Sequence, residues 1–154
     1  MTNNILSEVL GRTQIGDNVR SDILWGGLYD IYHKNDESQK KMRDLAFKTN
    51  TNPNGIDHYY HRKTAYEAAQ HSVPIGVAML MAGNMKEYRD IIRDTYKHGF
   101  AKAFKESKKD LKNNAIGFIL GSHSDLPAEQ NPQFNSYNSK TVNFLLPQIL
   151  EDAP

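Results

Sequence analysis

The chain has 154 residues, 38% of them hydrophobic and 24% charged, with a formal net charge of +1. That length suits one domain with one modest core, and the near-neutral balance leaves nucleic acid or membranes only a local patch to recognise. Cysteine is absent, which excludes disulfide scaffolds, thiolate zinc sites and cysteine nucleophiles.

The first ten residues, Met1 to Leu10, lack a basic n-region and a long apolar h-region, so no signal peptide is expected. A first helix is expected from a cap at Asp17 or Ser21 to about Tyr32, with Ile23, Leu24, Leu28, Ile31 and Tyr32 at helical spacing. Gly26 and Gly27 weaken it or permit a close helix crossing. The charged stretch Lys34 to Lys41 reads as a separator before a short helical pattern at Met42, Leu45, Ala46 and Phe47. The strongest breaker cluster is Thr49 to Gly55, TNTNPNG, read as a loop.

Asp57 then stands where an N-cap is expected, ahead of a helix from His58 to about His71 with Tyr59, Ala65, Tyr66, Ala68 and Ala69. Ser72 and Pro74 end that helix and open the next, serine as cap and proline in the first turn. From Ile75 to about Lys109 the apolar residues keep a helical period, as one long helix or two in tandem that bend at Gly83 or Gly99. The most apolar run, Val73 to Ala82, falls far short of the roughly 20 residues of a membrane span. A soluble chain is therefore expected. A last short helix covers about Asp110 to Leu120.

From Gly121 the composition turns rich in Pro, Asn and Ser, which predicts an extended strap. It ends in an apolar anchor, Val142, Phe144, Leu145, Leu146, Ile149 and Leu150, suited to docking on the chain's own bundle, on a second copy or on a partner. The expected architecture is all-α, a four-helix-bundle-like core over residues 1–121 with an extended C-terminal tail over 122–154.

The block Asp57, Tyr59, Tyr60, His61, Lys63, Tyr66, Glu67, Ala68, Ala69 resembles the signature helix of the serum amyloid A family, without a gap. The similarity continues more weakly at Gly76, Ala78, Lys86 and Glu87 and returns at Asp110, Asn114 and Gly117. Upstream, Ile23, Leu24 and Trp25 with Tyr29 and Asp30 look like the family's aromatic first helix. The resemblance spans roughly residues 20–121 and is specific only over 57–70. It implies a four-helix bundle and a family whose vertebrate members bind lipid and retinol as oligomers. Similar segments occur in bacterial secreted toxin proteins. The family's glycine-rich loop is replaced here by Ser72 to Gly76, and its binding residues do not carry over.

Three side-chain groups invite chemistry. Asp57, His58 and His61 share the start of one helix and offer three metal ligands of the kind a zinc hydrolase uses, with His71 as a fourth. The plainer reading is a capping aspartate, one solvated and one structural histidine. Glu67, Glu87, Asp90 and Asp94 include carboxylate pairs, but KEYRDIIRD alternates in sign as a solvated helix face does. Lys102, Lys105, Lys108, Lys109 and Lys112, with Lys97 and the pair Phe100 and Phe104, make a basic amphipathic helix fit for an anionic surface. The plainer reading puts both phenylalanines in the core. Trp25 and the tyrosines, or Met79, Met81 and Met85, read as core more readily than as a ligand pocket.

No glycine spacing cradles a phosphate and no G-x-S-x-G occurs, so nucleotide hydrolysis and serine-esterase chemistry have no support. The expectation is a non-enzymatic binding or assembly module, without a cofactor, whose tail docks on a protein partner or a second copy. A component of a larger particle would fit. The alternatives are a lipid- or membrane-surface binder and a secreted effector with a metal site at Asp57, His58 and His61.

Overall fold

The computed structural model describes residues 18–151, with side chains from residue 26 onward. Asp17, and the side chains of Ser21, Ile23, Leu24 and Trp25, fall outside what is described. Among the described residues every regular element is helical. The six helices are α1 (Asn18–Lys48), α2 (Ile56–His71), α3 (Val73–His98), α4 (Phe100–Gly121), α5 (Pro132–Asn135) and α6 (Lys140–Glu151), with a 3₁₀ turn at Ala128–Gln130 before α5.

Helix α1 runs unbroken through the charged stretch that suggested a separator. That stretch holds neither Gly nor Pro, and several of its polar groups have partners. Lys40 pairs with Asp36 four residues back at 2.6 Å. Asn35 donates to Glu67 at 2.7 Å, and Ser38 shares a 2.6 Å hydrogen bond with Tyr60. The polar residues are thus the seam between α1 and α2. Gly27 lies at their crossing with α3, where a Cβ would come within 2.9 Å of the Ile75 side chain.

The N-cap of α2 is Gly55, at φ 87°, rather than Asp57. Asp57 sits inside the first turn, where its charge favours the helix N-terminus. Ser72 does cap α3: its hydroxyl accepts from the Ile75 amide, with Pro74 in the first turn. The long periodic segment divides at Gly99, whose φ of 82° suits glycine and no β-carbon residue. Gly83 stays inside α3 and marks a close approach instead, since a Cβ there would lie 2.8 Å from the Asn114 amide.

Helices α2 and α4 run parallel and all but touch. A Cβ on Gly117 would collide with the carbonyl oxygen of Arg62, and one on Gly121 with that of Tyr66. Two glycines four residues apart therefore let two backbones meet along one helix face. Helices α1 and α3 pack antiparallel to α2, completing a four-helix core.

The tail folds back on this core in cis. The main hydrophobic cluster joins Met42, Ala46, Ile56, Tyr59, Tyr60 and Tyr66 to Ala128, Phe134, Val142 and Leu145 of the tail. Phe134 is fully buried, edge-on to Tyr59 and Tyr66 at 5.8 and 5.1 Å between ring centres. The strap is held by Gln70, whose amide donates to the Ser124 and Leu126 carbonyls at 2.7 Å, and by Tyr66, whose hydroxyl donates to Leu126. Asn131 caps α5 by accepting from Gln133 and Phe134. The anchor residues coil into α6.

Candidate functional site

Of the anchor residues, Val142 and Leu145 are fully buried and Leu146 and Ile149 pack against the same cluster. Phe144 and Leu150 stay about half exposed. The anchor is thus mostly spent on the chain's own core.

Arg62 ties the closure together from α2. Its guanidinium lies over the Phe134 ring at 4.6 Å and donates to Asn113 at 2.7 Å and to Asn138. Burial pushes its pKa down to about 10. Beside it, Lys63 is 2.5 Å from Glu129 of the 3₁₀ turn. Burial works against both charges, but their attraction wins: Lys63 is raised, also by Glu67, and Glu129 is lowered. Burial also raises the Tyr59 hydroxyl, which therefore stays protonated.

The suspected metal ligands part company. Asp57 turns to α1, accepting from Gln39 and, at 2.7 Å, from Arg43. Held by α1 in this way, it does not join the ligand cluster. His58 Nδ1 lies 2.8 Å from Asp110 Oδ1 on α4, and that hydrogen bond raises the imidazole's pKa against the lowering effect of burial. His61 Nδ1 lies 3.1 Å from Asn114 Oδ1, also on α4. Its Nε2 faces Glu87 of α3 at 3.7 Å and Asp110 at 3.9 Å. His71 is exposed at the far end of α2.

Among the described residues, His61, Glu87 and Asp110 are the three that bring potential ligand atoms together, all within 4.8 Å. Each comes from a different helix. Glu87 belongs to the stretch expected as a solvated face, yet it is 2% exposed, because α3 turns it towards α2 rather than outward. Asp110 and Asn114 carried a sequence signal only through the serum amyloid A resemblance. His61 and Asn114 line a cleft of about 400 Å³ that also takes in Tyr60, Gly83 and Lys86. His58 and Asp110 open on a second, broader recess beside Phe47 and Lys109.

The lysine face is as basic as expected: Lys102, Lys105, Lys108, Lys109 and Lys112 are all exposed. The phenylalanines differ from the plainer reading. Phe100 and Phe104 are 60% and 45% exposed and stack on each other, 5.6 Å between centres. Across the turn, Tyr88, Ile92 and Tyr96 of α3, spaced four apart, are 60%, 65% and 89% exposed. Here α3 and α4 run on past the N-terminus of α2. A two-helix hairpin buries small residues such as Ala103 and Ser107 at its seam, and among the described residues no third layer covers its aromatic rings.

No helix among the described residues is long and apolar enough to cross a membrane. Comparison of the chain with protein-family models, with curated proteins and with solved structures returned no match.

Proposed function

We propose that the protein is a non-enzymatic helical assembly module that pairs with a second copy of itself through the α3–α4 hairpin. The observation that supports this is the run of exposed apolar side chains, Tyr88, Ile92, Tyr96, Phe100 and Phe104, at one end of a bundle whose tail already closes the other side. Burying a large apolar side chain is worth about 1.5–3 kcal/mol, so several together favour association. A second hairpin, related by a two-fold axis, supplies the two helices that this pair lacks and makes a second four-helix arrangement. The lysines then form a like-charged rim. The serum amyloid A-like reading of residues 20–121 belongs to the same proposal and rests on the block Asp57–Gln70.

The lysines around the stacked phenylalanines support one other reading, a hairpin laid on an anionic lipid surface. Salt separates the two, because screening relieves repulsion between basic rims and weakens attraction to anionic headgroups. Light scattering after size exclusion, at low and high salt, tests this. The expected result is a dimer or larger assembly that tightens with salt and becomes monomeric in the double variant Ile92→Ser, Tyr96→Ser. A wild-type monomer at hundreds of micromolar overturns it. Salt-sensitive capture by anionic vesicles, lost in Lys102→Glu with Lys105→Glu, would replace it with the lipid reading.

A further inference from the structure

We propose that His61 Nε2, Glu87 and Asp110 form a site for one divalent transition-metal ion, with zinc the best match. The proposal is independent of self-association. Nε2 stands 3.7 Å from Glu87 Oε1 and 3.9 Å from Asp110 Oδ1, beyond hydrogen-bonding reach. Two atoms bound tetrahedrally to one zinc ion at about 2.1 Å are roughly 3.4 Å apart. The three ligand atoms lie within 4.8 Å of one another, so a shift of about an ångström would bring them all onto a shared ion.

The orientation of His61 agrees. With Nδ1–H donating to Asn114 Oδ1 at 3.1 Å, the ring turns Nε2 towards both carboxylates. Metal-bound histidines are held in this way, the far nitrogen donating to an oxygen of the surrounding structure. The arrangement repeats one step out, where His58 holds Asp110 at 2.8 Å. Two carboxylates that converge on one imidazole nitrogen in a largely buried place offer a divalent ion a shared set of ligands.

A second observation points to a ligand. Asn114 is 4% exposed, lines the cleft beside His61, and its amide Nδ2 is buried without a hydrogen-bond partner among the described residues. A buried donor of this kind costs about 1–3 kcal/mol if nothing meets it. A water or anion completing the ion's coordination on the cleft side would give it an acceptor. Three protein ligands and one exchangeable position form the common open zinc arrangement.

Lys86 competes for Glu87, its Nζ 3.2 Å from the same oxygen. Its side chain is 47% exposed and also reaches Asp90 at 3.3 Å, so it can yield Glu87 to an ion while keeping a carboxylate partner. One imidazole with two carboxylates suits zinc or manganese better than magnesium or calcium, which prefer all-oxygen sites.

The test is titration calorimetry of the chelator-treated full chain with Zn²⁺ and with Mn²⁺. The expected result is one ion per chain, with zinc tighter than manganese. Glu87→Gln and His61→Ala should each weaken zinc at least a hundredfold, and His58→Ala about tenfold through Asp110. Asp57→Asn should leave it unchanged. Glu87→Gln keeps size and shape, and its circular dichroism identifies any loss of fold. Should His61→Ala or Glu87→Gln unfold the chain, the zinc-dependent rise in melting temperature of the wild type, absent in folded Asp110→Asn, decides instead. Absence of binding at 100 µM zinc, or binding that survives Glu87→Gln in a folded protein, overturns the site.

Discussion

The two ends of this bundle solve the same problem differently. On the tail side, α2 presents Tyr59, Tyr60 and Tyr66, and the strap lays Phe134, Val142 and Leu145 over them until every one is at most 3% exposed. At the hairpin end, α3 and α4 present five large apolar groups and leave them in solvent. Both regions supply large apolar and aromatic residues. What differs is the number of layers: α1, α2 and the folded tail meet on one side, and among the described residues only two helices meet at the hairpin. A pair of helices buries the residues between them and little else, so apolar residues on its outer faces wait for another surface.

Removing the third layer on the tail side should have the largest effect. Phe134→Ala should cost about 3–5 kcal/mol, as large-to-small changes of fully buried aromatics do. Urea unfolding would show it as a lower midpoint, with Arg62 losing its aromatic support. A loss below 1 kcal/mol would mean that the strap is a loose cover. Gly117→Ala comes next, at about 3 kcal/mol, because its methyl group collides with the Arg62 carbonyl and drives α4 off α2.

A smaller effect, of about 2 kcal/mol, is expected from Glu129→Gln. Its sign with pH follows from the lowered Glu129 pKa. Burial opposes the charge, Lys63 outweighs burial, and the carboxyl stays ionised below its ordinary value of 4.5. The stabilisation is complete above that value and is lost as pH falls through the folded-state pKa. Thermal melts should therefore show the variant below wild type at pH 7 and the gap closing below pH 4.5. A gap that stays constant would assign the loss to packing rather than to charge. Least of all, Ile92→Ser with Tyr96→Ser should change monomer stability by no more than about 0.5 kcal/mol, since both side chains are mainly exposed. A large loss there would give the hairpin a structural role and erase the contrast.

Local rules were legible wherever one residue acts on its own backbone. Ser72 with Pro74 opened α3 as expected, Gly99 broke the long periodic segment, and TNTNPNG formed the loop before α2. The same rules misjudged Asp57 as a cap and Lys34 to Lys41 as a separator. A flexible Gly55 took the capping position, and the polar run was held helical by partners on α2 that lie far along the chain. The histidines were visible as candidates from their spacing, but their company was not. Glu87 is 26 residues from His61 and Asp110 is 49 away, and each looks like an ordinary surface acid until three helices are placed side by side.

From its residues alone, then, the chain determined an all-helical fold, most of its breaks and the apolar anchor at its end, because periodicity, caps and glycines act over a turn or two of backbone. Tertiary structure decided where that anchor docks, which carboxylates meet His61, and which aromatic rings stay outside. Those outcomes depend on how helices distant in sequence share a finite set of faces, and no local pattern records how many neighbours a face will have.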